Sequence, residues 1–178
     1  MIIRKATSRD IDAIEKIYDR IHEAEDAGKT TTGWITGVYP VRATAEAALN
    51  RDDLFVYDAD GEILAAAVIN QTQVDVYADC EWEYIAPDDE VCVLQTLVVD
   101  PNAAGQGIGT QFVAFYEDYA RKTGCTALRM DTNARNTAAR SLYKKLGYTE
   151  PGVVPCEFNG IPDVMLVLLE KKVGDVNA

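Results

Sequence analysis

The stretch Val98–Phe112, "VVDPNAAGQGIGTQF", decides how the rest of the chain is read. It leaves an apolar run, passes Gly105, Gly107 and Gly109, and enters a segment with helical spacing. Upstream, residues 91–100, "VCVLQTLVVD", are nearly continuous in apolar residues, as expected of a central strand covered on both faces. Downstream, "GTQFVAFYEDYARKTG" sets Phe112, Phe115, Tyr116 and Tyr119 on one side of a helix that Gly124 ends. "ALRMDT", 127–132, reads as the next strand. Strand 91–100, helix 107–123 and strand 127–132 form a βαβ crossover, and ligands favour the turn where such a strand feeds its helix.

Working outward, "MIIRKA" at the start is a short strand candidate. A helix follows with Ile11, Ile14, Ile17, Tyr18 and Ile21 at helical spacing, Thr7 and Asp10 as a capping pair and Gly28 as its stop. "TTTGWITGVYPVR" reads as a loop, and "TAEAALNRDD" as a second helix that Thr44 would cap. "LFVYDADGEILAAAVIN" is a hairpin turning at Asp60-Gly61. Residues 71–90, polar and studded with aromatics, are either a substrate loop or a decorated β-hairpin. Near the C-terminus, "NTAARSLYKKLG" places Ala139, Leu142, Tyr143 and Leu146 in helical register up to Gly147. "DVMLVLLEKK" is the last strand, and 174–178 read as a frayed tail after a single domain spanning 1–173. The order β-α-α-β-β-β-α-β-α-β-β predicts an α/β fold with a mixed sheet.

Composition narrows the function. The 178 residues carry 17 Lys and Arg against 29 Asp and Glu, a net charge of −12, which repels nucleic acid and anionic membranes. Cys80, Cys92, Cys125 and Cys156 are widely spaced, no apolar signal segment opens the sequence, and no apolar run approaches a membrane span. These features set the expectation of a cytoplasmic protein. His22 is the only histidine, so a Ser-His-Asp triad would have to use it, and no histidine cluster exists for zinc. No metal is expected.

The glycine turn admits three readings. A P-loop needs a lysine that Ile108-Gly109-Thr110 does not supply. A nicotinamide-binding turn needs a third glycine or alanine where Thr110 stands, although Asp131 at the end of the next strand could imitate the ribose-binding carboxylate. What all such turns share is a set of backbone N–H groups freed at a helix N-terminus and aimed at an anion.

Downstream, "RMDTNARNTAARSLYKKLGY" bears on the choice. Asn136, Ala139, Leu142, Tyr143, Gly147 and Tyr148 match N-x-x-A-x-x-L-Y-x-x-x-G-[FY], and Leu94, Leu97, Val99, Pro101, Gly105, Gly107, Ile108 and Gly109 match the strand and loop that precede it. In both motifs the chain resembles the GCN5-related N-acetyltransferase (GNAT) family, and the element order before them fits as well. The resemblance implies a mixed, mostly antiparallel sheet flanked by helices, with the βαβ crossover binding acyl-coenzyme A. It implies transfer of an acetyl group from acetyl-coenzyme A directly to the primary amine of a small molecule or peptide. A homodimer through the C-terminal strands is allowed. The competing functions are a non-catalytic acyl-coenzyme A-binding regulatory domain and a nicotinamide-dependent oxidoreductase.

Residue by residue, the resemblance assigns the pantetheine arm to the backbone of Leu97, Val98 and Val99. It assigns the pyrophosphate to the loop Ala104, Gly105, Gln106, Gly107, Ile108, Gly109 and Thr110. Ala104 stands where the family usually has Arg or Gln, which removes a side-chain contribution and leaves the backbone grip. Tyr143 resembles the family's general acid. A phenol near pKa 10 can protonate a departing thiolate near 8.5 at an uphill cost of roughly 2 kcal/mol. Asn136 is an N-cap first and a cofactor contact second. For the general base, Glu90 at the entrance to the central strand is the leading candidate, with Glu83, Asp88 and Asp89 nearby, while Gln95 could orient a water. Trp34, Tyr39, Trp82 and Tyr84 fall in the two segments expected to border the acceptor pocket, and Glu83 is the acidic candidate beside them.

Overall fold

The computed structural model describes residues 1–174. Seven strands form one sheet in the order β1-β2-β3-β4-β5-β7-β6, where β1 is Ile2–Lys5, β2 Leu54–Ala59, β3 Glu62–Asn70, β4 Val91–Val99, β5 Ala127–Asn133, β6 Thr149–Phe158 and β7 Ile161–Lys172. Every neighbouring pair is antiparallel except β4 and β5. The helices are α1 Ile11–Asp26, α2 Arg42–Asn50, α3 Ile108–Lys122 and α4 Thr137–Lys145. The element order read from the sequence is the one found. The expected tail lies, apart from Gly174, outside the described residues.

Alternation along the strands sorts the core into layers. Cys92 and Leu94 face α3 and α4, where Phe112, Tyr116 and Tyr143 are buried. Val98 and its neighbours on β2 and β3 pack instead against Ile14, Ile17 and Tyr18 of α1 and the small side chains of α2. Arg4 of β1 anchors the start of α1, donating to Asp10 at 2.8 and 3.0 Å, and Asp10 accepts from the Thr7 N–H at 2.7 Å. Thr44 does not cap α2. Val41 occupies the N-cap, and Thr44, three positions in, reaches back to accept its N–H at 3.0 Å.

Residues 71–90 form no hairpin. They make 3₁₀ turns at Asp75–Asp79 and Asp88–Glu90 and lie as a strap over the layer formed by Val91, Val93, Ala127 and β7. Polar groups drawn from the sheet hold the strap down. Glu170, fully buried on β7, accepts the backbone N–H groups of Glu83 and Tyr84 at 2.7 and 3.2 Å. Arg129 on β5 donates to the Tyr84 carbonyl at 3.2 Å and stacks 4.2 Å from the Trp82 ring. A buried carboxylate and a buried guanidinium thus recover, through fixed backbone groups, part of the hydration they lose.

The early end of pairing between β4 and β5 makes the site. β4 and β5 pair only from Val91–Ala127 to Leu94–Met130. Between Ala66 and Val68 the register of β3 against β4 shifts, and Thr96 takes a left-handed φ of 50°, a costly conformation for a β-branched residue. Past this bulge the two parallel strands diverge.

Candidate active site

A cavity of about 530 Å³ opens from the gap between β4 and β5. One side is lined by Leu97, Val98 and Val99 of β4, Ala104, and Asn136 and Tyr143 of α4. The other side is lined by Trp34, Tyr39, Val74, Gln95, Thr96 and Asp131, with a wall from the β6–β7 hairpin.

The glycine loop stands at the mouth beside Ala104. Gly105 and Gly107 have φ of 78° and 75°, and a methyl group added to either would meet nothing within 4 Å. It is therefore the backbone conformation that requires glycine there. From Gly105 through Thr110 no backbone N–H has an acceptor among the described residues; the next one, of Gln111, donates to the Gly107 carbonyl. Ile108 is buried in the core, so it offers a ligand only its backbone. An unbroken run of free N–H groups at the N-terminus of α3 fits an anion such as pyrophosphate, with the helix dipole of the same sign. The diverging strands fit an extended arm, since β4 beyond Leu94 has no partner on its β5 side.

Asn136 caps α4, accepting the Ala139 N–H at 3.2 Å, and faces the cavity. Tyr143, 7% exposed, packs edge-on against Tyr148 and has no hydrogen-bond partner for its hydroxyl among the described residues. That hydroxyl is not sealed in the core, so it opens to the cavity. Burial, and then the Asp131 charge, push its pKa up. The phenol is a neutral donor at any ordinary pH, and full proton transfer from it is more uphill than an unperturbed tyrosine would require.

Asp131 is the only carboxylic acid among the cavity's described lining residues. Its Oδ2 accepts from the Tyr77 hydroxyl at 2.6 Å, and its other oxygen has no partner in the described protein. Burial pushes its pKa up to about 6, with the Tyr77 bond opposing the shift. Tyr77 is itself buried and carries the Trp82 indole on its carbonyl at 2.8 Å, so the strap acts on the site through this one contact and through Val74. Across the cavity, the Tyr39 hydroxyl is hydrogen-bonded to Thr96 Oγ1 at the bulge, and the Tyr39 ring lies edge-on to Trp34.

The sequence-based site therefore divides. Trp34, Tyr39 and Gln95 line the cavity, and Gln95 donates to Asn70 Oδ1 and the Thr72 carbonyl at 3.1 and 2.9 Å. Glu83 and Tyr84 do not line it, because their backbones are tied to Glu170 on the far part of the strap. Glu90 is also absent. It precedes the paired end of β4, roughly 20 Å along an extended strand from Thr96, and its Oε2 accepts from Thr126 Oγ1 at 3.0 Å. Asp131, considered as a ribose-binding carboxylate, instead shares a cavity with Tyr143, and among the described residues the mostly antiparallel sheet has no second βαβ half for a dinucleotide. Tyr77, Thr96 and the hairpin wall were missed. Of the groups on this side, only Asp131 was marked in the sequence, as an acid toward the end of the strand that follows the glycine turn and its helix.

The family model for the acetyltransferase (GNAT) family matches residues 12–148. Among curated proteins, an uncharacterized N-acetyltransferase of Methanocaldococcus jannaschii is 34% identical over 79 residues, 44% of this chain and 35% of its own length. The chain thus spans about a third of that relative. Among solved structures, an N-acetyltransferase from Staphylococcus aureus Mu50 superposes with a TM-score of 0.70 at 21% identity, covering 97% of this chain and 98% of the other. An acetyltransferase from Salmonella typhimurium with its cofactor acetyl-CoA superposes with a TM-score of 0.66 at 20% identity, covering 99% and 96%. The protein belongs to the acetyltransferase (GNAT) family, whose general reaction is N-acetylation from acetyl-CoA. Among the described residues no helix is long and apolar enough to cross a membrane.

Proposed function

We propose that the protein transfers an acetyl group from acetyl-CoA directly to a primary amine, with Asp131 as general base and Tyr143 as general acid. The observation that carries this reading is the meeting of the two side chains in one cavity, beside a loop whose N–H groups are free from Gly105 to Thr110. The loop would hold the pyrophosphate through those groups, and the backbone of Leu97, Val98 and Val99, unpaired on its β5 side, would hold the pantetheine arm and polarise the thioester carbonyl. As the carbon–nitrogen bond forms, the nitrogen becomes acidic and its proton passes to Asp131, directly or through a water. As the carbon–sulfur bond breaks, the Tyr143 hydroxyl donates to the sulfur. An ammonium near pKa 10 lies about 4 units above a carboxylate near 6, so the amine attacks from its neutral fraction, and the proton that Asp131 takes is the one the nitrogen sheds as the carbon–nitrogen bond forms.

Glu90 has no part in this scheme, and Ala104 leaves the pyrophosphate to the backbone alone. The test is calorimetric titration with acetyl-CoA, NADH and ATP, followed by thiol release with a set of amines. Selective acetyl-CoA binding with amine-dependent thiol release is the expected result. Binding without thiol release from any amine would favour a regulatory acyl-CoA-binding domain, and preference for NADH would overturn the reading.

A further inference from the structure

We infer that the acceptor is a small primary monoamine with an apolar body and no acidic group. This rests on the acetyltransferase reading above and names the substrate class of the same site.

The first argument is charge. On the acceptor side of the cavity Asp131 is the one carboxylate among the described lining residues, and the other polar groups there, Tyr39, Gln95, Thr96, Asn133 and Asn159 among them, are neutral. The only cationic residue lining the cavity, among those described, is Lys29, exposed in the loop after α1. Nothing inside answers a carboxylate or phosphonate on the acceptor. Such a group would be buried unpaired in the same cavity as the Asp131 carboxylate, and it would lose its hydration without compensation. A polycation would find one carboxylate and leave its other charges against apolar walls.

The walls give the second argument. Phe158 at the end of β6 and Ile161, Val164 and Leu166 of β7 face Trp34 and Val74 across the cavity. These surfaces reward an apolar body in proportion to the area they cover.

Closure gives the third. The loop between α1 and α2 is fixed by Glu25, which accepts from Thr30 Oγ1, the Thr32 N–H and the Gly33 N–H at 2.8, 2.9 and 3.0 Å. Although burial opposes it, these bonds hold the Glu25 carboxyl below its usual range, so the clamp persists at neutral pH. Gly33 lies so close to β5 that a methyl there would stand 2.3 Å from Asn133 Nδ2. A methyl on Gly160, in the β6–β7 turn, would stand 3.4 Å from Val38 Cγ1. Loop and hairpin therefore touch over the site, where a peptide main chain would need an open groove. This contact favours a compact molecule over an extended main chain.

The test measures kcat/KM by thiol release for four acceptors: 2-phenylethylamine, L-phenylalanine, a hexapeptide with a free N-terminus, and kanamycin. The first two differ only by a carboxylate. The monoamine is expected to exceed phenylalanine roughly 100-fold, as an unpaired buried charge requires, and to exceed the peptide and kanamycin by at least as much. Phe158→Arg, checked for folding by its thermal transition, should narrow the ratio of 2-phenylethylamine to phenylalanine by roughly 10-fold or more. Equal or better turnover of phenylalanine, the peptide or kanamycin by the unmodified protein overturns the acceptor class and leaves acetyl transfer standing. Acetyl-CoA binding with no thiol release from any of the four overturns both.

Discussion

Asp131→Asn is expected to make the protein more stable and less active, with the gain in stability confined to neutral and alkaline pH. Burial raises the Asp131 pKa from 3.8 to about 6. Between about pH 4 and pH 6 the unfolded chain has lost this proton while the folded one keeps it, so stability falls as pH rises through that window. A shift of about 2 units corresponds to about 3 kcal/mol, present in full above about pH 7 and nearly gone by pH 4. Asparagine escapes this cost and can still accept the Tyr77 hydroxyl. The variant should therefore gain about 3 kcal/mol at pH 8, or roughly 6–12 °C in Tm for a chain of this size, and almost nothing at pH 4. Urea unfolding of both proteins at the two pH values measures the difference. In the same variant kcat/KM should fall roughly 100-fold or more, and the acid limb near pH 6 should vanish from the pH–rate profile. A stability difference that is equal at pH 4 and pH 8, or a loss of stability at pH 8, would refute the account of a desolvated carboxylate.

Four further outcomes are expected. Tyr143→Phe lowers kcat roughly 100-fold while the acetyl-CoA Kd stays within about threefold, because the hydroxyl acts on the departing sulfur; turnover kinetics and calorimetry separate the two effects. Tyr77→Phe removes the bond that opposes the Asp131 shift, so the acid limb of the rate profile moves above pH 6, at a stability cost of about 1 kcal/mol. Gly107→Ala strains a φ of 75°, which costs about 1–2 kcal/mol in the thermal transition and weakens acetyl-CoA roughly 10-fold as the loop distorts. Glu90→Gln leaves the pH–rate profile unchanged, since Glu90 stands at the opposite end of β4 from the cavity.

Local patterns made most of the fold legible. The apolar run 91–99 announced a central strand, and the glycine turn, the α3 stripe and Gly147 each sat where backbone chemistry demands them. The cofactor side was readable because it uses backbone groups whose availability follows from local conformation, as at Gly105 and Gly107. The acceptor side was not. Asp131 and Tyr77 meet across 54 residues, and Tyr39 meets Thr96 across 57, with nothing periodic to mark either pair. Glu90 attracted attention by its position before β4, but a strand of nine residues is long enough to carry its two ends to different chemistry. Residues 71–90 resisted reading because buried partners on other strands, Glu170 and Arg129, hold them in place.

The short stretch of parallel pairing between Val91–Leu94 and Ala127–Met130 has a mechanical consequence. β1–β4 form one leaf of the sheet and β5, β7 and β6 the other, and those few residues are the spine along which the leaves are bound. The width of the opening is set at the spine, which ends at Met130, the residue before Asp131. Side chains there act as the pin of a hinge. A change of one methylene at Val93 or Leu128, both buried in the spine, is expected to shift one leaf against the other and with it Asp131 against Val98. Leverage over the spacing of Asp131 and the cofactor strand therefore lies with buried aliphatic residues that are not themselves part of the cavity lining.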